Sequence, residues 1–567
     1  MKITSESKKL IGYVLSQARS SAAYFQPLKD AEIGIKEGMF VTINSKQGLS
    51  YLAEITEISH YNEYYEKGEI WAEALREGHQ PPEEIARRYT IAATRILGIL
   101  TPDGLINADK PPLPGDPVYL ATLNELRSLY QYDLSMGQKP NYYIEIGKMY
   151  GYESEEIKLP ALLDLRNINM HFAVIGTTGS GKSNTVGKII EMLGKIRNLE
   201  FSEKYRTIPV MVVDANGDYI DYYEHPDFIE SFSEIIRLYF EGSEAGNHQA
   251  FHYKSKLMDI KIDLNAFSPS EIAETIIALY HSGKLEGAEL QLNYLTLLLS
   301  DIDRLRNKIP LSLKGHEIDY NYVIHEIKRL EEMIEEDKGK KIVHGATADA
   351  VIRALRNFYE LMVKKHKVIP QYGEKATIGS KFIEDITNPE NPKLVILDFS
   401  TEGATGVDLS VKQFVVGNVL ALLFKEFTAY RVRGENRLLL YIIEEAQNYA
   451  PNTQVYPIGF SVAKKILASV ATQGRKFGLC LGLVTQRPSY VDPIVMSMMN
   501  TFIIHRVAPG DVRFVYTVTG GLPGYIMRRL TYMERGLAVL TGQMNLFPHP
   551  IFVKVDRREK HKISGVL

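Results

Sequence analysis

The chain has 567 residues, 45% hydrophobic and 24% charged, with 66 Lys and Arg against 69 Asp and Glu for a formal charge of −3. That length allows roughly three to four domain-sized cores at about 150 residues each, and the composition excludes collagen, extended disorder and an integral membrane protein. Near-neutrality excludes a global field drawing the whole molecule to a polyanion, so any nucleic-acid contact must be local. The one cysteine, Cys480, excludes an intrachain disulfide and fits a reducing compartment, so a cytoplasmic location is expected. Set in the apolar run 479–484, it reads as a packed core residue rather than a nucleophile. No signal peptide is expected in residues 1–20, and no stretch approaches the roughly 18 uninterrupted apolar residues of a membrane helix.

In chain order, residues 1–150 read as short strands separated by glycines, at 10–15, 38–43, 52–55 and 91–100. This spacing predicts a small antiparallel barrel, with a helical insertion over 69–88 broken at Gln80-Pro81-Pro82. From about 165 apolar runs alternate with amphipathic helices, which predicts an α/β core with a mostly parallel sheet, assigned to 151–264 and 366–545. Its strands are expected at 172–176, 209–214, 394–398, 438–443, 479–485 and 501–506. Several end in polar residues, placing these at the carboxyl edge where open α/β sheets bind ligands. Over 265–365 helical periodicity takes over, entered by Ser268-Pro269-Ser270-Glu271, which joins a capping box to a proline at the first helical position. This reads as a helical insertion packed on the core. Residues 546–567 read as a C-terminal tail, with a strand-like run at 548–555 and a solvated basic end of Arg557, Arg558, Lys560 and Lys562.

The strongest chemical signal is Gly176-Thr177-Thr178-Gly179-Ser180-Gly181-Lys182-Ser183, a full match to the phosphate-binding pattern G-x-x-x-x-G-K-[ST]. It follows an apolar run and opens a helical one. The glycines let the backbone curl so that successive N–H groups and the helix N-terminus face phosphates. Lys182 then sits on the β- and γ-phosphates of ATP, and Ser183 coordinates Mg²⁺. A second apolar strand, 438–443, runs into Glu444 and Glu445. A P-loop enzyme needs one acid near Mg²⁺ and, for hydrolysis, another to activate water. Glu444 is read as the first and Glu445 as the second, against two solvated glutamates beyond a strand. A third strand, 479–485, delivers Gln486 to hydrogen-bond the γ-phosphate or the attacking water. Arg475, in Gly474-Arg475-Lys476-Phe477-Gly478, reads either as a cation favoured at a helix C-terminus or as an arginine finger for a neighbouring subunit's nucleotide. Asp214, with Asp218 in the turn beyond it, and Asp398 stand at two further strand ends; for Asp214 and Asp218, ordering Mg²⁺-bound water or the lytic site and simple turn chemistry weigh equally. H-E-x-x-H, paired C-x-x-C and G-x-S-x-G are absent from the sequence, so zinc proteolysis, zinc fingers and α/β-hydrolase chemistry have no support.

These motifs in this order resemble the HerA branch of the HerA/FtsK ATPases, from His171-Phe172-Ala173-Val174-Ile175 through the P-loop and Asn184, the 214–219 segment, Glu444-Glu445-Ala446, Arg475 and Thr485-Gln486-Arg487-Pro488. The resemblance covers most of the chain. It implies a RecA-like P-loop ATPase core behind a small barrel of the HAS-barrel kind. Gly176 to Asn184 would bind ATP, Ser183 and Glu444 would hold Mg²⁺, and Lys182, Glu445, Gln486 and Arg475 would form the catalytic set, Arg475 acting in trans. It further implies a homo-hexameric ring threading double-stranded DNA as a translocase or helicase, with a NurA-type nuclease on the barrel face, in DNA end resection and recombinational repair. A secretion or pilus-type ATPase moving protein at a membrane is the alternative, against which the missing anchor counts; a nucleotide-gated scaffold is the third. Lys338, Lys340 and Lys341, or Arg431, Arg433 and Arg437, are candidate pore residues, with solvated loops the competing reading. The chain departs from the family pattern in having Glu444 where aspartate is more usual, D-A-N-G-D-Y for D-P-H-G-E-Y at 214–219, Gln447 for a common histidine and Met170 for arginine.

Overall fold

The computed structural model describes residues 8–559 apart from 33, 66–70, 81–87, 103, 128–138, 154–157, 202–204, 248–251, 283–284, 310–312, 315–316, 457–460 and 548. Seven strands open the chain: β1 (Leu10–Val14), β2 (Ala22–Pro27), β3 (Phe40–Asn44), β4 (Ser50–Tyr61), β5 (Tyr89–Thr101), β6 (Gly104–Ile106) and β7 (Pro117–Leu120). Six of them close into an antiparallel barrel in the order β2-β1-β7-β3-β4-β5, with β5 returning to β2 and β6 appended to β5. Closure follows from the alternation of buried and accessible residues along β5, which turns every second side chain inward. Phe25, Val41, Ile43, Ala53 and Val118 fill the interior. A short helix, Trp71–Arg76, stands where the insertion was expected; residues 81–87, and the side chain of Trp71, lie outside the description.

The core is a twelve-stranded sheet. Its strands are β8 (Tyr143–Glu153), β9 (Lys158–Asp164), β10 (Phe172–Ile175), β11 (Val210–Asp214), β12 (Glu234–Tyr239) and β13 (Ser255–Asp259). After a two-residue hairpin of β14 (Leu313–Lys314) and β15 (Glu317–Ile318) come β16 (Lys393–Asp398), β17 (Leu439–Ile443), β18 (Leu479–Thr485), β19 (Thr501–Ile504), β20 (Leu537–Gly542) and β21 (Ile551–Val555). The order is β13-β12-β16-β11-β17-β18-β10-β19-β20-β21-β8-β9, parallel from β13 to β19 and antiparallel beyond. Strands β11, β16, β17 and β18 are buried along their whole length, as strands covered on both faces must be. Cys480 lies inside β18 with its thiol pushed up to about 12 by burial, a core residue as expected.

Alternate strand residues feed two apolar layers. On one face Phe172, Val174, Val210 and Val212 pack on Val186, Ile189 and Ile190 of the helix Lys182–Lys195. On the other, Ala173, Ile175, Met211 and Val213 join the long helix Leu409–Val432 and the helices between 269 and 365. The expected capping box is formed there: Ser268 N–H donates to Glu271 Oε2 at 2.7 Å and Glu271 N–H to Ser268 Oγ at 3.4 Å.

The structure differs from expectation at both ends of the core. A division at 150 falls inside β8, which with β9 belongs to the core sheet rather than to the barrel; the alternation that marks barrel strands also suits an antiparallel edge. Residues 551–555, expected in a tail, are β21, hydrogen-bonded between β20 and β8. Arg557 is exposed, but Arg558 is buried, correcting its reading as solvated; Lys560 and Lys562 lie outside the described residues. β12 and β13 were not anticipated. Among the described residues no helix is long and apolar enough to cross a membrane.

Tyr152, on β8, joins barrel to core: its hydroxyl accepts from Phe40 N–H at 3.0 Å, and the two rings pack at 6.2 Å. Tyr152→Phe leaves a buried N–H without its acceptor, a loss of about 1–3 kcal/mol. A lowered Tm in a thermal melt is the expected result, and an unchanged Tm would remove this bond from the barrel's attachment.

Candidate nucleotide site

β10 ends in the glycine-rich loop, which is tied to its neighbours before it reaches the helix. Gly176 N–H donates to Thr485 O at 3.2 Å and Thr177 N–H to Arg506 O at 2.7 Å. Gly181 turns into the helix at φ 118°, a conformation open in practice to glycine. Beneath the loop His505, fully buried at the end of β19, donates from Nδ1 to Leu537 O at 3.1 Å, so its bare Nε2 accepts from Thr185 Oγ1 at 2.8 Å. Burial holds this imidazole neutral, pushed down to about 4. Lys182 Nζ folds back on Thr177 O at 3.1 Å. Its pKa is lowered by burial, opposed by the nearby Glu445, Glu444 and Asp218.

Glu444 and Glu445, consecutive after β17, face different surroundings. Glu444 is buried; Oε1 accepts from the Tyr219 hydroxyl at 2.7 Å and Oε2 from Ala215 N–H at 3.3 Å. Burial pushes its pKa up, with Asp214 and Asp218 adding to the rise. Glu445 is half-buried and left-handed, at φ 50° and ψ 47°, a conformation rare outside glycine. Its carboxylate accepts from Gln447 Nε2 and, at 2.5 Å, from Gln486 Nε2. Gln486 Oε1 in turn accepts from Thr178 Oγ1 at 2.6 Å, and Thr485 Oγ1 donates to Gln447 at 2.8 Å. One hydrogen-bonded unit thus joins P-loop, strand end and acid.

The structure therefore brings Lys182, Glu444, Glu445 and Gln486 together with Gly176, Thr177, Thr178, Gly179, Ser180, Gly181, Ser183 and Asn184. Arg475 does not join them. It is exposed, ahead of β18 and close to His171 at the start of β10, so the length of β18, roughly 20 Å at about 3.3 Å per residue, separates it from its own P-loop. Asp214 caps its own turn: Oδ1 accepts from Gly217 and Asp218 N–H at 2.8 and 2.9 Å, and Oδ2 from Tyr219 N–H at 2.8 Å. Asp398 pairs with buried Arg237 at 2.6 Å. Of the basic clusters, Lys338 pairs with Asp349, and Arg433 and Arg437 pair with Glu435. Tyr219, Gln447 and His505 were not singled out for the site; His505 was findable as a polar residue closing an apolar strand, whereas Tyr219 and Gln447 depend on contacts no local pattern reveals.

A parallel sheet in which one strand delivers this loop, the adjoining β18 a polar side chain and the next strand, β17, two acids defines a P-loop ATPase. Residues 144–423 match the family model described as "Helicase HerA, central domain", so this chain carries a HerA central domain. A "DNA double-strand break repair helicase HerA" of Pyrococcus furiosus is 25% identical, over 95% of this chain and 91% of the relative. One from Sulfurisphaera tokodaii is 25% identical over 84% and 80%. Among solved structures, VirB4 of Thermoanaerobacter pseudethanolicus aligns over 74% of this chain and 98% of its own at 12% identity, with a TM-score of 0.47.

The rise in the Glu444 pKa sets a sign. A carboxyl held above its unfolded value binds its proton more tightly when folded, so the stability it confers is present below the unfolded pKa and is lost as pH rises through the folded one. Nucleotide-free protein should lose Tm between about pH 5 and pH 8, and Glu444→Gln should flatten that slope. Parallel slopes in the two proteins would mean Glu444 is ionised throughout.

Proposed function

We propose that this chain is an ATP-driven ring motor that translocates on double-stranded DNA. The observation that carries the reading is the unit of Glu445, Gln486 and Thr178, because it sets a partly exposed acid and a water-orienting amide against the loop that holds phosphates. Gly176 to Asn184 bind ATP, and Lys182 exchanges the Thr177 carbonyl for the β- and γ-phosphates. Glu445 takes the proton of the attacking water, and Gln486 orients that water and senses the γ-phosphate.

Mg²⁺ fits the residues present. Ser183 Oγ makes no hydrogen bond among the described residues, and Glu444 lies buried among like charges that a cation would relieve. Mg²⁺ takes few protein ligands beside substrate phosphates and water, so Ser183 and Glu444 would hold it. When bound, the ion neutralises charge on the β- and γ-phosphate oxygens.

DNA is proposed as the track because the relatives' names place them in double-strand break repair. Arg475 at the far edge of its own sheet supports a site completed by a neighbour, hence a ring, here a homo-hexamer. Basic pore side chains repeated around it would grip phosphates despite a net charge of −3. A NurA-type nuclease on the barrel face would make the assembly a DNA end-resection machine.

The test is the ATPase rate with and without linear duplex DNA across a salt series. Stimulation that fades with salt is expected, with Glu445→Gln still binding ATP but hydrolysing it at least about 100-fold more slowly. Hydrolysis indifferent to DNA would overturn the DNA track and point to a protein cargo. A second measurement addresses the neighbour: Arg475→Ala and Lys182→Ala, each inactive alone, should regain activity when mixed, because one subunit's intact P-loop then meets the other's intact arginine. Failure to complement would reduce Arg475 to a helix-end cation.

A further inference from the structure

The segment that follows β21 is docked on the P-loop helix. Asn184, next to Ser183, holds it with both ends of its amide: Nδ2 donates to Asp556 O at 2.9 Å, and Oδ1 accepts from Arg558 N–H at 3.1 Å. Further along the helix Glu191, fully buried, accepts from Glu559 N–H at 3.3 Å, and Lys195 pairs with the Glu559 carboxylate at 2.6 Å. Between these points the side chain of Arg558 turns inward and is 3% exposed. Its guanidinium lies 6.0 and 5.7 Å from the ring centres of Tyr219 and Tyr222, and its Nη1 donates to Asp218 O at 2.8 Å.

Room for this side chain comes from Gly187. A Cβ at that position would fall 2.1 Å from Arg558 Cδ and 2.8 Å from Nη1. Glycine inside a helix is destabilising relative to alanine, and Gly187 is not among the residues of positive φ. Its backbone does not require glycine; the notch does. A guanidinium is costly to bury unless its charge is answered; here the Asp218 carbonyl accepts from Nη1, and two aromatic faces and the nearby Asp221 offset the charge.

The geometry points to Arg558 as a positioning residue for ATP hydrolysis, an inference that rests on the ATPase reading above. Threaded through the Gly187 notch, it ties the first turn of the P-loop helix to the turn at Asp218 and Tyr219. The Tyr219 hydroxyl then sets Glu444. The phosphate-binding and acidic halves of the site are thereby held in one spacing by a residue that lies outside both the P-loop and the acid pair.

The test uses four variants of the full chain: Arg558→Ala, Arg558→Lys, Gly187→Ala and the double Gly187→Ala/Arg558→Ala, read by kcat, KM for ATP and Tm. Arg558→Ala and Gly187→Ala should each lower kcat about tenfold with KM held within about twofold. The double variant should be no slower than either single, because both changes remove the same contact. Arg558→Lys, with a long stem and one cation, should recover part of kcat. Gly187→Ala raises helix propensity, so a slower enzyme there cannot be ascribed to a weaker helix. Wild-type kcat in Arg558→Ala, multiplying losses in the double variant, or a kcat that falls only in step with Tm and KM would each overturn the assignment. Wild-type protein without ATPase activity would sink both readings; an active wild type with an equally active Arg558→Ala sinks this one alone.

Discussion

Parallel register across β10, β18 and β17 is the constraint from which the site follows. Ile175 stands beside Thr485, and Leu483 beside Ile443, so the residues after each strand leave the sheet at one edge and at matched height. Thr178, Gln486 and Glu445 meet because of that alignment. A slip of one residue would turn every side chain to the other face and disrupt the close packing of the buried side chains on both. The left-handed backbone at Glu445 is a local strain of the kind that gathers at functional sites. It gives two consecutive carboxylates opposite fates, one sealed behind Tyr219 and one open to the phosphate loop.

The same alignment crowds acids. Asp214 and Asp398 are register partners, and Glu444 is close to both Asp214 and Asp218. Each buried member has its own compensation: backbone N–H groups for Asp214, the Arg237 guanidinium for Asp398, a tyrosine hydroxyl and one N–H for Glu444. These arrangements absorb the structural carboxylates and leave Glu445 half-buried and bonded to the neutral side-chain amides of Gln447 and Gln486.

Much of this was legible in the sequence for a physical reason. Strands covered on both faces need unbroken apolar runs, and the runs ending at Asp214, Asp398 and Thr485 are observed to end there. The P-loop is a local motif, and so are Glu444-Glu445 and Gln486. β12 was harder, because Arg237 interrupts its apolar run and is tolerated through Asp398 and Glu402, partners far along the chain. Tyr219 and Arg558 were not readable as site residues because their roles arise from packing between segments. For Arg558, a basic run near a chain end is ordinarily solvated, and only the notch at Gly187 distinguishes this arginine from its neighbours.

The position of β21 also bears on how the chain acquires its shape. This strand fills the gap between β20 and β8, pairing Val553 with Met149 across about four hundred residues. During synthesis the β8–β9 hairpin must therefore wait, with one ladder unpaired, until nearly the whole described chain has been made. Long-range pairings of this kind slow folding, and an unpaired edge is a template for association with other chains. The last strand is thus a late closing step, and the interval before it is when a nascent chain is most exposed to aggregation.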